Sequence, residues 1–269
     1  MLSNSAIEQT LRFNIARSLS FPKIFRKAAR SIQRRAVKLI LPNPRPGHGE
    51  YSMIYDTLNT SGRPSDYLID LALRAAQEAW HTELPDLSHR VDAASNDFTG
   101  IWPGEHYRLL AALVKLLQSK RVIEIGTFSG LSALALKKFL PPDGKITTFD
   151  IVPWPLVADT FLRPEDFEDN RLRQQIADLS DPAIFESHRS LFEEAEMLFL
   201  DGPKDGVFEG KVLRHLETVQ SRNPLLLVMD DIRFWNMLAI WHAIARPKFD
   251  LTSFGHWSGT GLVDWCSSH

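Results

Sequence analysis

At 269 residues with 44% hydrophobic side chains, the chain is long enough to bury a full core, which excludes a wholly disordered protein. The single cysteine, Cys266, excludes an internal disulfide framework and a thiolate metal cage, and points to a reducing compartment. No apolar run approaches the roughly 20 residues that span a bilayer and no signal-peptide pattern is present, so the expectation is a soluble, cytoplasmic protein.

The net charge of -2 is unevenly distributed: residues 1–45 hold ten Lys or Arg against Glu8 alone, a balance of +9, so the remainder carries -11. From Phe21 to Leu41 the apolar residues Phe25, Ala28, Ala29, Ile32, Ala36, Leu39 and Ile40 recur at helical spacing, and basic residues fill the gaps. This predicts a basic amphipathic helix. It ends at a Pro/Gly-rich linker, Pro42 to Gly49, which separates an extension, residues 1–49, from a main domain, residues 50–269. Three readings fit the basic arm, residues 12–45: packing on its own body or on a second subunit as a homodimer, peripheral contact with an anionic membrane, and nucleic-acid contact, the least favoured. The charge asymmetry does not choose among them.

From about Pro64 helices and short apolar strands alternate. Helices are predicted at Tyr67 to Trp80 and Gly104 to Gln118, then a strand at Arg121 to Ile125, a helix at Leu131 to Phe139 and a strand at Lys145 to Asp150. Further strands are expected at 172–177, 196–200 and 225–229, helices at 207–220 and 234–245, and final strands at 248–254 and 260–265. The expectation is an α/β, doubly wound, Rossmann-like fold: a mostly parallel seven-stranded sheet with helices on both faces. Phe254 to Gly261 reads as a hairpin that makes the last strand antiparallel, although His256 or Trp257 could line a substrate pocket instead. Trp102 reads as a packing residue.

In an open α/β sheet the ligand sits beyond the carboxyl ends of the strands. Here the first strand enters the turn Gly126-Thr127-Phe128-Ser129-Gly130, with Ser132 one step into the following helix. Glycines at both ends allow a sharp bend and close approach, and free N–H groups at the helix start suit a carboxylate. A dinucleotide fingerprint needs three glycines as G-x-G-x-x-G, and this loop has two, four residues apart, which disfavours NAD. Asp150 ends the next strand, where a carboxylate can hold ribose hydroxyls.

The stretch Val122 to Leu136, beginning Val-Ile-Glu124-Ile-Gly-Thr-Phe-Ser-Gly-Leu-Ser, followed by Pro142-Asp-Gly-Lys-Ile-Thr-Thr-Phe-Asp150, resembles the S-adenosylmethionine site of the small O-methyltransferases typified by catechol and caffeoyl-CoA O-methyltransferases. The resemblance implies a cofactor carboxylate near the glycine turn and Ser132, ribose at Asp150 and adenine near Ala177-Asp178. It adds Glu124, Gly126, Thr127, Phe128, Gly130 and Asp201 to the cofactor-binding set. Asp178-Leu-Ser-Asp-Pro182 also reads as a plain helix-capping turn.

Two later strand ends carry acid: Asp201, and the pair Asp230-Asp231. Parallel strands deliver these carboxylates to one cleft, where like charges repel unless a cation intervenes. A hard divalent ion such as Mg²⁺ suits oxygen ligands, and the alternative is that the acids cap helices or pair with Lys204 or Arg233. The resemblance favours the metal: metal-dependent members place an Asp, a Lys three residues on, and an Asp-Asn pair, similar to Asp201, Lys204 and Asp230-Asp231. Asp231 in place of Asn adds negative charge. The implied chemistry is displacement at the sulfonium methyl, with Asp201 and Lys204 as the catalytic residues and Lys204 as a base if its amine is neutral.

The resemblance covers about residues 95–236 and thins outside them. Pro153, Pro155 and Pro164 break the helix usual between Ile151 and Asn170 and predict a loop or altered lid. Gly202-Pro203 replaces bulkier pocket residues, so the acceptor need not be a catechol. Three readings stay open: a metal-dependent O-methyltransferase acting on a small hydroxylated metabolite, a metal-independent one, and a non-catalytic scaffold recruited by the basic arm.

Overall fold

A computed structural model describes residues 62–91, 106–252 and 258–266. The basic helix, the linker, the boundary after residue 49, Trp102, Gly104, His256 and Trp257 lie outside the described residues.

Helix α1, Asp66–His81, starts where the Ser65 hydroxyl accepts the Leu68 N–H at 3.2 Å, and it buries Leu68, Leu71, Ala72, Ala75 and Ala79 along one stripe. A short α2, Pro85–Ser88, follows, then α3, His106–Leu117, and the first strand β1, Arg121–Ile125. The chain continues through α4, Leu131–Lys138; β2, Lys145–Asp150; β3, Leu172–Ile176; α5, Pro182–Ser187; and α6, Arg189–Glu194. It ends with β4, Met197–Leu200; α7, Phe208–Leu216; β5, Leu225–Asp230; α8, Trp235–Ala243; β6, Lys248–Asp250; and β7, Thr260–Cys266.

The seven strands run in the order β3-β2-β1-β4-β5-β7-β6. The first five pair in parallel, and β7 lies antiparallel between β5 and β6. The doubly wound sheet with an antiparallel last strand is therefore as the sequence predicts. β1 and β2 have the predicted bounds; several helices are shorter, because α7 ends at Leu216 rather than 220 and α8 at Ala243 rather than 245. The strand expected at 248–254 stops at Asp250, whose Oδ1 turns back to accept the Thr252 N–H at 2.8 Å.

Period-two alternation divides the core. Val122, Met197, Phe199, Leu226 and Val228 face the side covered by α1, α3 and α4, while Ile123, Ile125, Leu198, Leu200 and Met229 face the side covered by α5 to α8. Each fully buried Leu or Ile contributes about 1.5–3 kcal/mol. At the far end of α8 a fully buried lysine, Lys248, donates to the carbonyls of Trp241 at 2.6 Å and Ile244 at 3.0 Å. These are the acceptors a helix C-terminus leaves unused.

The proline-rich segment after β2 forms a loop with two single turns of 3-10 helix, Trp154–Leu156 and Pro164–Phe167, and Trp154 stacks on Phe167 at 5.3 Å. Arg90 grips Asp166 with two hydrogen bonds, 2.6 and 2.7 Å, and donates to the Phe161 carbonyl at 2.9 Å. The Phe161 N–H in turn reaches the Ser129 carbonyl at 2.8 Å, which seats the loop on the glycine turn.

Candidate active site

The carboxyl ends of the central strands are tied to one another. Gly126 N–H donates to Phe149 O at 2.8 Å, Asp201 N–H to Ile125 O at 2.9 Å and Ala177 N–H to Asp150 O at 2.9 Å, so four strand ends open on one edge. Gly126 has φ +106°, and a Cβ there would stand 2.0 Å from the Asp201 carbonyl oxygen. Only glycine fits. Gly130 has φ +84°, and a Cβ would fall 2.2 Å from Leu162 of the covering loop.

Beside this turn lies a cavity of about 630 Å³ lined by Gly126, Phe128, Asp150, Asp178 and Asp201 among others. It brings together five of the nine residues expected to bind the cofactor. Glu124, Thr127 and Ser132 are buried rather than lining it, and Gly130 packs under Leu162. The Thr127 and Thr148 hydroxyls share a 2.7 Å hydrogen bond. Asp150 Oδ2 accepts the Thr127 and Phe128 N–H groups at 3.0 and 2.9 Å, and Oδ1 accepts that of Val152 at 3.0 Å. A carboxylate has about four acceptor positions, so one remains for a hydroxyl from outside. Asp178, which is exposed, accepts the Ser180 N–H at 2.9 Å, while Asp181 caps α5 through the Ala183 and Ile184 N–H groups. The capping reading of this turn thus holds for Asp181.

Glu124 is fully buried under the turn, with the Ser132 and Thr148 hydroxyls as its polar neighbours. Burial pushes its carboxyl up to about 8, against the pull of the nearby Ser132 and Thr148 hydroxyls, so it holds its proton at neutral pH.

Asp201 at the end of β4 and Asp230-Asp231 at the end of β5 each place one carboxylate oxygen within 4.8 Å of the others. Lys204 sits among them: its ammonium bonds Asp201 Oδ1 and lies 3.0 Å from Asp231 Oδ2 and 3.8 Å from Asp230 Oδ2. Burial and then the charge of Asp230 raise the Asp201 carboxyl. Burial works against the Lys204 ammonium, yet Asp201, Asp230 and Asp231 together outweigh it and hold the amine above its ordinary value. This charge balance favours the protonated amine, and a cation on the same carboxylates would weaken that preference. Asp231 has φ +56°, a left-handed conformation that Asp and Asn tolerate better than other side chains, so Asp can stand at this position as readily as Asn.

The oxygen-only donor set and its close spacing fit a hard divalent ion, with Asp201, Asp230 and Asp231 as the holders. Two contributors escape a reading of the strand ends. His106, at the start of α3, places Nδ1 3.4 Å from Asp230 Oδ1, and Glu209, in the first turn of α7, accepts the Lys204 N–H at 2.7 Å. Both are polar residues on helix starts, and only their burial marks them.

Residues 94–161 match the model of an O-methyltransferase family. A caffeoyl-CoA O-methyltransferase of Populus kitakamiensis is 34% identical over 71 residues, 26% of this chain and 30% of that protein. A putative caffeoyl-CoA O-methyltransferase of Arabidopsis thaliana is 33% identical over 94 residues, 35% of each. The alignments thus span about a third of those relatives' length. Among solved structures, the O-methyltransferase TomG from Streptomyces achromogenes, in complex with SAM, covers 72% of this chain and 89% of its own at 20% identity, with a TM-score of 0.42. The family match thus spans β1, the glycine turn, α4 and β2 and ends in the loop after β2.

Proposed function

We propose, from that family segment, that the protein transfers a methyl group from S-adenosylmethionine to a hydroxyl of a small metabolite. The observation that carries this reading is the meeting, on one sheet edge, of the glycine turn and its cavity with a carboxylate cluster that contains a lysine. S-adenosylmethionine supplies a methyl on a positively charged sulfur that is already a good leaving group.

The cavity between Gly126, Asp150 and Asp178 would hold the nucleoside, with the one remaining acceptor position of Asp150 turned to a ribose hydroxyl. Glu124 and Ser132 lie beneath the turn where the amino-acid end would reach. At the acceptor side, Asp201 is the better proton acceptor, because Lys204 keeps its proton among three carboxylates. Lys204 then orients the acceptor oxygen. Holding the reacting atoms in line is the main task, and orientation can contribute about 7–11 kcal/mol.

A divalent ion at Asp201, Asp230 and Asp231 would lower the pKa of an acceptor hydroxyl. One observation favours the metal-independent reading: the Lys204 ammonium already neutralises part of the cluster. Calorimetry with S-adenosylmethionine tests the cofactor, and a screen of hydroxylated compounds for methyl transfer, in chelator and in Mg²⁺, tests the rest. Saturable binding and Mg²⁺-dependent transfer are expected. No cofactor binding ends the enzyme reading, and full turnover in chelator removes the metal. The basic arm, residues 12–45, is proposed to dock this domain on a second copy or an anionic surface, and its deletion should abolish salt-sensitive sedimentation with anionic vesicles if the surface is a membrane.

A further inference from the structure

Glu209 lies eight residues beyond Asp201, with no solvent exposure. Its Oε1 accepts the Lys204 N–H at 2.7 Å, while Oε2 has no hydrogen-bond partner among the described residues. A buried carboxylate oxygen left in that state is uncommon in folded proteins and calls for a reason. The backbone supplies one. Lys204 has φ +59°, a left-handed conformation disfavoured for a long side chain. Glu209 pins the amide of this residue, and the Asn236 side-chain amide reaches its carbonyl at 3.4 Å. Gly202 leaves the passage open: a Cβ there would fall 2.7 Å from Glu209 Oε1. The reversed backbone turns the Lys204 side chain back over the loop, onto Asp201, Asp231 and Asp230.

We propose that Glu209 is a positioning residue: by fixing the left-handed backbone of Lys204 from beneath, it places the lysine ammonium among the three carboxylates. The hydrogen bond of Glu209 goes to the Lys204 backbone rather than to those acids, so it acts on them through Lys204. The catalytic meaning of this placement rests on the methyl-transfer reading, but the placement can be tested without it.

The test uses the full chain, isotopically labelled, with hydrogen exchange followed at the Lys204 amide and at Leu213 and Val228 as internal references. Glu209→Ala should speed exchange at Lys204 by about 100-fold, a local opening, with Leu213 and Val228 unchanged. Glu209→Gln keeps an acceptor oxygen and should stay within about tenfold of the parent. Unchanged exchange at Lys204 in Glu209→Ala, or equal loss at Leu213, overturns the proposal. Lys204 competes with a dication for the same oxygens, so Glu209→Ala should bind Mg²⁺ about tenfold more tightly by calorimetry; an unchanged affinity overturns the claim about the ammonium. If Glu209→Ala does not fold, a Lys204→Gly background decides: glycine needs no clamp at φ +59°, so it should restore most of the lost stability, and no recovery overturns the proposal. A parent chain that takes no Mg²⁺ removes the metal reading, and exchange at Lys204 still decides the role of Glu209.

Discussion

Around the glycine turn, polar groups meet at short range: three N–H groups converge on Asp150, and two threonine hydroxyls pair below. Around Asp201, Asp230 and Asp231 the balance is one of charge, with an ammonium among three carboxylates and left-handed backbone at Lys204 and Asp231. The first region is shaped before any ligand arrives. The second depends on which cations are present, and that makes it the part of the edge able to respond to acceptor, metal and pH.

The strongest way to break the contrast is Gly126→Ala, where a Cβ 2.0 Å from the Asp201 carbonyl would push the two regions apart. We expect a loss of at least about 4 kcal/mol in urea unfolding, with cofactor binding abolished. Glu124→Gln sharpens it through pH. The folded carboxyl titrates at about 8 and the unfolded one near 4.3, so the folded state keeps a proton that the unfolded state releases, and stability falls as pH rises across that window. The variant should match the parent near pH 4 and exceed it near pH 8 by a few kcal/mol, about 5 at most, while cofactor affinity declines. A parent whose stability is flat between pH 4 and 8 would contradict this.

Arg90→Met loosens the loop over the turn and should cost about 1.5–3 kcal/mol at pH 7. Burial pushes the Asp166 carboxyl up, but the Arg90 guanidinium and the Arg163 N–H outweigh it and hold it below the usual range. That stability is present above the unfolded value of about 3.9 and is lost as pH falls through the folded one, so the gap between parent and variant should narrow toward pH 3. The smallest effect is expected for Thr127→Val, about 1 kcal/mol from leaving the buried Thr148 hydroxyl alone, and a second change, Thr148→Val, should restore most of it.

Much of the turn region was legible in the sequence because its signals are local. Two glycines four residues apart, after an apolar strand and before a helix, can be read along the chain, and the bounds of β1 and β2 followed. The acids at the strand ends were legible for the same reason, since parallel strands deliver their ends to one edge. The state of Lys204 was not, because it depends on three carboxylates brought from 3 to 27 positions away in the sequence. His106 escapes for a related reason, since it touches Asp230 across a fold-level contact, while Glu209, only five residues from Lys204, reads as an ordinary acid in the first turn of a helix. A helix runs shorter than its apolar pattern where apolar residues continue past the last turn, as Ile244 and Ala245 do after Ala243.

The position of β7 bears on how the protein is made. β5, which ends in Asp230, has β4 as one neighbour, but its other neighbour is β7, synthesised some thirty residues later. On the ribosome, the edge of β5 therefore stays open while α8 and β6 emerge, and the acid cluster lies beside an unpaired strand until Thr260–Cys266 slides between β5 and β6. Closing the sheet from inside, rather than adding a strand to its rim, makes the last insertion a late, non-local step of folding and makes β5 the strand most exposed to wrong pairing during synthesis.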